Sequence, residues 1–353
     1  MVQQKQYTVK QIADLAGVSA GTVDRVLHNR GDVSAKSREK VQAVLDKIGY
    51  KPNLHVSSIG TKKKISIVAV LPSAASGYWE QVKAGIRKAA FEFSHINIKI
   101  KCLHYNQFDL FSCKEVYSKA LELECDAMLI GPTFTDETLQ LVYALETKNI
   151  PYVFVDEMVP NTSPLAFFGP DSLRMGYMQA RLLLNEMQKG KDIVMLRAKR
   201  IGDEVSHNSM TRRNGFKSYI KEKNLTTKLI DCICDMSDPR DCKQSLDAAL
   251  TGDNIGGIAI FNSRSYIVAE YLRDNGIKGI KTVGYGLIER NVSCLKEEWL
   301  TFLLSEHPDL QGYLGIKCIL EFLMYGKQGK VLNYTPVDIL ISENVDYVQY
   351  ELI

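Results

Sequence analysis

The segment from Ser19 to His28 carries side chains that suit contact with DNA. Its apolar residues recur at helical spacing, so the others point outward from a short helix. That outward face is small at its N-terminal end and polar afterward, and it comprises Ser19, Ala20, Gly21, Asp24, Arg25 and His28. Such a helix can enter a major groove closely and hydrogen-bond to base edges and phosphates. The alternative is a three-helix scaffold used for protein contacts.

Three short helices must hold this face in place. The run TVKQ, which begins at Thr8, forms a capping box that starts the first helix. Gly17 can take the left-handed conformation of a tight turn, Ser19 can cap the second helix, and Ser34 can cap the third. The apolar stripes expected to share one core are Ile12, Leu15 and Ala16; Val23, Val26 and Leu27; and Val41, Val44, Leu45 and Ile48.

Charge separates the N-terminal part from the rest of the chain. Residues 1–64 hold 12 Lys and Arg against 5 Asp and Glu, a net charge of +7, whereas the remaining residues hold 32 against 36, a net charge of −4. A basic head on a mildly acidic body supplies the phosphate attraction that duplex binding requires. Lys62, Lys63 and Lys64 could also touch the DNA backbone, although a solvated charge run fits them equally well.

The run YTVKQIADLAGVSAGTVDRVLHNRGDVSAKSREKVQAVLDKIGYKPN resembles the DNA-binding headpiece of LacI/GalR-type transcription regulators nearly from end to end. The resemblance implies that the base-reading residues are Ala20, Gly21 and Arg25. It places four others against phosphate or sugar, namely Ser19, Thr22, His28 and Ser34. We expect Arg25 to contact guanine; a phosphate contact or a salt bridge near Asp24 is the alternative.

Several residues depart from the family pattern at positions that bear on which DNA sequence this headpiece recognises. Asp24 stands where the family often has Ser, so its carboxylate must pair with a neighbouring Arg or accept from a cytosine amino group. The family's hinge helix follows a Pro-Asn pair, here ending at Asn53, and Val56 and Ile59 replace its Ala and Leu. Asn53 and Ile59 join the expected DNA contacts, with Ile59 either a minor-groove wedge or an exposed linker residue. The run LHVSSIGT is a poor helix former, so we expect DNA and a second subunit to order it.

The rest of the chain, out of 353 residues, is long enough for two α/β lobes. We predict a headpiece over 1–51, a hinge over 52–64 and an effector-binding body over 65–353. The chain has no N-terminal apolar stretch and no apolar run of about 18 residues or more, which predicts a cytoplasmic protein with no membrane partner.

Motifs for enzymes, metals and cofactors are missing from the sequence. It contains no GxxxxGK[ST], HExxH or GxSxG run, and Asp156 and Glu157 would diverge on a strand rather than form an acid/base pair. The 8 Cys are scattered and predict free thiols in a reducing compartment. Cys232 and Cys234, one residue apart, come nearest to a metal motif, but structural thiols are favoured. We therefore expect no catalytic residue, no metal and no cofactor.

From residue 65 onward, short β-rich runs alternate with helical stretches, which predicts βαβ units and parallel sheets. Two such series follow one another, and a long helix over 309–324 and a strand pair around VDILIS and YVQYELI complete the chain. The order resembles the two-lobed periplasmic binding protein type I fold that regulators of this family carry behind the headpiece. The predicted fold class is α/β: a three-helix helix-turn-helix headpiece followed by two parallel α/β sandwich lobes.

The same resemblance implies three crossings between the lobes, near residues 168, 305 and 332. The expected first lobe is about 65–167 plus 306–331, and the second about 168–304 plus 332–353. A small ligand would lie in the cleft between them.

In open parallel sheets, ligands bind beyond the carboxyl ends of the strands. In the first lobe these positions are Tyr78, Trp79, Gly131, Thr133, Asp156 and Glu157. Aromatic faces stack on the C–H surfaces of sugars while charged groups take hydroxyls in pairs, so this set suits a carbohydrate. Core or interface packing is the alternative for Tyr78 and Trp79.

In the second lobe, the resemblance implies four ligand contacts through the runs PDS, TRRNGF, IAIFNS and SEHP, namely Asp171, Arg212, Asn262 and Glu306. Arg212 is the strongest of these, with a surface Arg at a helix start as its alternative. Gly286 replaces an Asp that usually grips hydroxyls, and Glu306 stands where Gln is frequent. The hydroxyl-binding set is altered, so an acidic or larger saccharide, or another metabolite, stays open.

Together these features predict a ligand-responsive transcription regulator, expected to be a repressor. It would bind a roughly palindromic double-stranded operator as a homodimer, and a tetramer is also compatible with the sequence. A small carbohydrate or carbohydrate derivative would change its operator affinity. The alternative is a sugar-binding or carbohydrate-processing protein whose headpiece serves another role.

Overall fold

The computed structural model describes residues 9–27, 33–47, 64–73, 77–94, 96–201, 207–252 and 254–348. The chain divides into two units, Met1–Lys63 and Lys64–Ile353. In the described residues, no helix has both the length and the apolar composition needed to cross a membrane.

The N-terminal unit contains α1 (Val9–Ala16), α2 (Ala20–Leu27) and α3 (Ala35–Lys47). The turn and cap signals are confirmed: Gly17 has φ 62°, the Ser19 hydroxyl accepts from the Thr22 N–H at 3.2 Å, and the Ser34 hydroxyl accepts from the Ser37 N–H at 3.3 Å. The predicted capping box at Thr8 lies outside the described residues. The buried core comprises Ile12, Ala13, Ala16, Val23, Val26, Val41 and Leu45.

Among the described side chains of this unit, one predicted core residue is wrong, while the Leu27 side chain and Ile48 lie outside the described residues. Leu15 is 56% exposed, and Ala13 takes its place at 4%. Successive helix residues are offset by about 100°, and α2 and α3 pack on the Ala13 side of Ile12 rather than on the Leu15 side.

The second unit runs β1 (Ile65–Pro72), α4 (Tyr78–Glu92), β2 (Ile98–Tyr105), α5 (Leu110–Leu121), β3 (Ala127–Ile130), α6 (Thr135–Thr147), β4 (Tyr152–Val155), β5 (Ala166–Gly169), α7 (Ser172–Glu186), β6 (Asp192–Ala198), α8 (His207–Glu222), β7 (Leu229–Cys234), α9 (Pro239–Ala249), β8 (Ile255–Ile260), α10 (Tyr266–Asp274), β9 (Lys281–Tyr285), α11 (Glu289–Lys296), β10 (Phe302–Ser305), α12 (Pro308–Tyr325), β11 (Leu332–Tyr334) and β12 (Asp338–Leu340).

These strands form two six-stranded sheets, one in each lobe. The first sheet has the order β2-β1-β3-β4-β5-β11 and the second has the order β7-β6-β8-β9-β10-β12. All pairs are parallel except β10 with β12, which are antiparallel. Apolar residues cover both faces of each sheet, as parallel sheets require, so each lobe has its own core.

The chain passes between the lobes after β5, after β10 and after β11. The third crossing falls a few residues later than the expected 332, because Leu332–Tyr334 pairs with β5 of the first sheet. The predicted C-terminal strand pair is not formed by the described residues: β12 pairs with β10, and Val345–Tyr347 is a 3₁₀ turn. Helix α11 was not predicted.

Paired glycines bring two helices together in each lobe. A side chain on Gly85 of α4 would collide with the Asp309 carbonyl, and one on Gly312 of α12 would collide with the Val82 carbonyl. In the second lobe, Gly176 of α7 and Gly215 of α8 make the reciprocal close approach. Helix α4 carries Tyr78 and Trp79, and α8 carries Arg212. These close helix–helix contacts therefore fix the positions of residues predicted to bind ligand.

Candidate functional site

A cleft between the two lobes, with a cavity of about 110 Å³, lies beyond the carboxyl ends of both sheets. Almost all the predicted effector-binding residues line it: Tyr78, Trp79, Thr133, Asp156, Glu157, Arg212, Asn262 and Glu306. The structure therefore brings together residues that are far apart in the sequence, as the strand-end rule predicts.

Asp171 is the exception among the predicted effector-binding residues and does not line this cleft. It is the N-cap residue of α7, and its carboxylate accepts a hydrogen bond from the Arg174 N–H at 3.0 Å. An aspartate before a helix is favoured for this reason alone, so the PDS run carries a capping signal as well as the family resemblance.

The first-lobe wall of the cleft rests on two buried aromatic residues at the start of α4. The Tyr78 hydroxyl donates to the Asp156 carboxylate at 2.7 Å and to the Gln311 side chain at 3.3 Å. The Trp79 indole N–H donates to the Gln107 side-chain oxygen at 3.3 Å, and its ring lies against Gly131, where a side chain would collide with it. Both aromatic residues belong to the first-lobe core and also line the cleft, so core packing and cleft lining hold at once.

A buried ion pair joins the second lobe to the crossing after β10. The Arg212 guanidinium lies 2.5 Å from the Glu306 carboxylate, and the two side chains are 7% and 3% exposed. The guanidinium also lies 4.3 Å from the centre of the Tyr285 ring. The Glu306 carbonyl accepts from the Gln311 side chain at 2.9 Å and from the Thr335 hydroxyl at 3.1 Å. Arg212 is therefore a buried cleft residue and not a surface arginine.

Burial raises the pKa of all three carboxyl groups in the cleft. It raises the pKa of Glu306 to about 7, although Arg212 lowers it, and burial together with the Asp156 charge raises the pKa of Glu157 to about 8. Burial also raises the pKa of Asp156, opposed by Arg212. Carboxyl groups that exchange protons near neutral pH can both donate to and accept from a ligand.

Arginines on the second-lobe side are the main residues that sequence reasoning missed. Arg200 lies 3.9 Å from the ring centre of Phe134, and Arg264 lies 4.8 Å from that of Phe108, so each stacks on an aromatic residue of the first lobe. Other polar lining residues that were missed are Gln107, Arg197, Asn208, Ser209, Ser263 and Tyr285. The strand-end rule would have found most of them if it had been applied to β2, β6, β8 and β9 as it was to the first-lobe strands.

Several buried polar atoms in the cleft have no hydrogen-bond partner among the described residues. Two of them, the Asn262 side-chain nitrogen and the Ser209 hydroxyl, belong to uncharged side chains. The other end of Asn262 is fixed, because its oxygen accepts from the Arg264 N–H at 2.8 Å. Buried polar groups normally have partners, so these two mark where a bound molecule would supply hydrogen bonds.

Backbone hydrogen bonds also join the two lobes at loops beside the cleft. The Ile201 N–H donates to the Phe108 carbonyl at 2.8 Å, and the Leu110 N–H donates to the Ile201 carbonyl at 3.1 Å. We call this pairing of Phe108, Leu110 and Ile201 the latch. It joins the loop after β2 in the first lobe to the loop after β6 in the second.

In the N-terminal unit, the predicted base-reading residues Ala20, Gly21 and Arg25 lie exposed on α2. The Ser19 and Thr22 hydroxyls lie 2.9 Å apart at the start of that helix, and Ser34 is exposed at the start of α3. Asp24 lies within α2, but its side chain lies outside the described part of the chain, as do His28, Asn53 and Ile59. A side chain on Gly21 would meet only the Ser19 hydroxyl, at 3.8 Å, so this end of the helix is open to a close approach.

The helix-turn-helix unit and the two-lobed body with an interlobe cleft define a class of protein that joins a DNA-reading fold to a ligand-binding fold. Residues 8–53 match the model of bacterial regulatory proteins of the lacI family, and residues 67–328 match the model of the periplasmic binding protein domain. A putative LacI transcriptional regulator from Bacteroides fragilis has 32% sequence identity and a TM-score of 0.78 over 81% of this chain and 100% of that chain. The chain belongs to the LacI family of bacterial regulatory proteins, a family of transcriptional regulators and not of enzymes.

Two more distant proteins are also similar to this chain. The HTH-type transcriptional regulator DegA of Bacillus subtilis is 23% identical over 216 residues, which span 61% of this chain and 61% of DegA. A glucose-galactose binding protein from Geobacillus stearothermophilus has a TM-score of 0.71 at 16% identity over 80% of this chain and 99% of that chain. At that identity, the second likeness concerns the fold alone.

Proposed function

We propose that the protein is a cytoplasmic transcriptional repressor that binds operator DNA as a homodimer and responds to a small carbohydrate in the interlobe cleft. The observation that carries the proposal is the buried Arg212–Glu306 pair, because it lies where both lobes and a bound ligand would meet. Ligand binding there changes the balance between lobe arrangements. Such a change would be transmitted to the DNA-binding unit that the lobes carry.

A polyhydroxylated ligand suits the chemistry of this cleft. Asp156 and Glu306 offer carboxylate oxygens, Asn262 offers a free amide donor, and the Trp79 ring offers an apolar edge. Sugars need paired hydrogen bonds at their hydroxyls and apolar contact at their C–H faces.

DNA as the partner is supported by the exposed face of α2 and by the family to which the chain belongs. In such a regulator, two headpieces bind two half-sites, and ligand and operator alter each other's affinity by the same factor. The positive charge of residues 1–64 would make the binding depend steeply on salt.

Thermal unfolding of the full chain with a panel of neutral sugars and sugar acids tests the ligand. A ligand at about 100 times its Kd adds about 2.7 kcal/mol to the free energy of unfolding. We expect stabilisation of the wild type and of the matched control Arg174→Gln, an exposed arginine on α7, but not of Arg212→Gln. Equal stabilisation of both variants would contradict a role for the cleft.

DNA affinity measured with and without the stabilising sugar tests the coupling. We expect salt-dependent, sequence-selective binding whose Kd changes when the sugar is added. If the chain binds the sugar but no duplex, it is a sugar-binding protein and not a regulator. If it binds the duplex with the same Kd in both conditions, the sugar is not the effector.

A further inference from the structure

Three thiols meet at the outer edge of the second lobe, away from the cleft lining. Cys232 and Cys234 lie on the same face of β7, and Cys242 lies in the first part of α9, which packs on that face. All three residues are at most 3% exposed. The Cys242 sulfur lies 3.1 Å from the Cys234 sulfur, whereas the Cys232 sulfur contacts the Ser245 carbonyl at 3.6 Å. Among the described residues, no group of three or more His, Cys, Asp or Glu side chains could hold a metal ion.

We propose that Cys234 and Cys242 form a reversible disulfide when the protein meets a hydroperoxide. In the first step the Cys242 thiolate attacks one peroxide oxygen, the O–O bond breaks, and a sulfenic acid and hydroxide form. In the second step the Cys234 sulfur attacks the sulfenic sulfur and water leaves. Two thiols are thus oxidised to one disulfide while hydrogen peroxide is reduced to two waters, and a dithiol reverses the reaction.

The local geometry favours ring closure between these two cysteines. A disulfide has sulfurs about 2.05 Å apart, so the pair must approach by only about 1 Å. The connecting loop, residues 235–241, is already ordered: the Asp241 carboxylate accepts from the Asp235 N–H at 2.7 Å, and the Asp235 carboxylate accepts from the Ser237 N–H at 2.8 Å. Closing an ordered loop loses little conformational entropy.

The environment distinguishes the attacking thiol from the resolving one. The hydrogen bond between the two thiols lowers the pKa of Cys242, opposed by burial and by the charges of Asp241, Asp235 and Asp238. The same hydrogen bond and burial raise the pKa of Cys234. The start of a helix also stabilises a thiolate. Cys242 is therefore the first sulfur to react, and Cys234 is the resolving thiol.

Access to the sulfurs comes from the position of β7 at the edge of its sheet. Ile233, between the two strand cysteines, is 41% exposed, so one face of this strand already meets solvent. Edge strands and the helices on them open locally at lower free energy than sheet centres do. Hydrogen peroxide is little larger than water, so a small opening suffices.

The loop that the disulfide would close also contacts the cleft wall. The Met236 carbonyl accepts from the Arg264 guanidinium at 2.9 Å, and Arg264 stacks on Phe108 of the first lobe. Oxidation would therefore change the support of a cleft-lining arginine. This last consequence rests on the proposed function, whereas formation of the disulfide does not.

Mass spectrometry of the full chain tests the proposal. The reduced protein is treated with hydrogen peroxide, its remaining thiols are alkylated, and it is digested with trypsin without reductant. We expect peptide 229–240 linked to peptide 241–243, and loss of this species after dithiothreitol. Because peptide 229–240 also contains Cys232, the variant Cys232→Ser is measured beside the wild type and should retain the link.

Two variants and a matched control complete the test. Cys234→Ser and Cys242→Ser should lose the link, and Cys294→Ser, another thiol at 3% exposure in the same lobe, should keep it. Alkylation of both Cys234 and Cys242 in the peroxide-treated wild type would overturn the proposal. So would a link that disappears in Cys232→Ser. All of these measurements use the full chain and require neither DNA nor effector.

Discussion

Replacing Glu306 by Gln should change how the stability of the protein depends on pH. Burial raises the pKa of Glu306 from an ordinary 4.5 to about 7, even with Arg212 beside it. The folded chain holds this proton more tightly than the unfolded chain. The protonated carboxyl therefore stabilises the fold fully below pH 4.5, and this stabilisation is lost as the pH rises through about 7. One pKa unit corresponds to about 1.4 kcal/mol, so the loss amounts to about 3 kcal/mol of unfolding free energy.

Glutamine imitates the neutral acid at every pH. Glu306→Gln removes the ionised partner of Arg212 only where Glu306 is charged, and the pKa of about 7 already includes the effect of Arg212, so the pH dependence follows from that pKa. Relative to the wild type, the variant should therefore be more stable at pH 8.5 than at pH 5, with a difference of about 3 kcal/mol in the free energy of unfolding.

Urea unfolding of the full chain, followed by far-UV circular dichroism at the two pH values, measures this difference. Glu122→Gln, at an exposed position on the first lobe, is the matched control and should parallel the wild type. Parallel pH profiles for wild type and Glu306→Gln would refute the reasoning, because they would mean that Glu306 titrates alike in the folded and unfolded chain.

Three further predictions concern the helices that position the two sites. Gly176→Ala should lower the free energy of unfolding by about 1–3 kcal/mol in urea titrations, since the new methyl group collides with the Arg212 backbone, whereas Gly252→Ala, with open space around it, should change it little. Ser19→Ala should cost about 1 kcal/mol of α2 stability through loss of its cap, seen as reduced headpiece helicity on heating; unchanged melting would contradict the capping role. Arg25→Ala should lose discrimination between operator and random DNA in competition binding, and unchanged selectivity would contradict base contact.

The sequence predicted the sheets because many of their strands are continuous apolar runs separated by turn signals, as in β1 and β3. The sequence also predicted α4 and α12 to within a few residues of their observed ends. It placed β11 in the wrong lobe because the run LNY carries no periodic pattern, and only pairing with β5 makes it a strand.

The cleft was predictable wherever a strand end was followed directly by polar or aromatic residues, as with Asp156 and Glu157. Arg200 and Arg264 were missed because the second lobe was interpreted through resemblance to a family and not through strand ends. The contacts of Arg200 and Arg264 with Phe134 and Phe108 depend on how the lobes close, which no local pattern encodes.

The thiol pair was beyond sequence reasoning for a different reason. Cys234 and Cys242 are separated by seven residues, which matches no motif spacing. The sequence pattern singles out Cys232 and Cys234 instead. Strand residues two apart share a face but lie about 6–7 Å from each other, so the meaningful partner comes from the helix that packs on that face.

The hydrogen bond from Thr335 to the Glu306 carbonyl ties the third crossing to the second, so these two connections must turn together. We expect these two connections to act as a hinge about which the lobes rotate. Glu306 belongs to one of these connections, whereas the latch joins the lobes through other loops and must break for the lobes to part. We expect a ligand held by Glu306 to leave this residue almost still and to act through the latch, so probes of motion belong at Phe108 and Ile201.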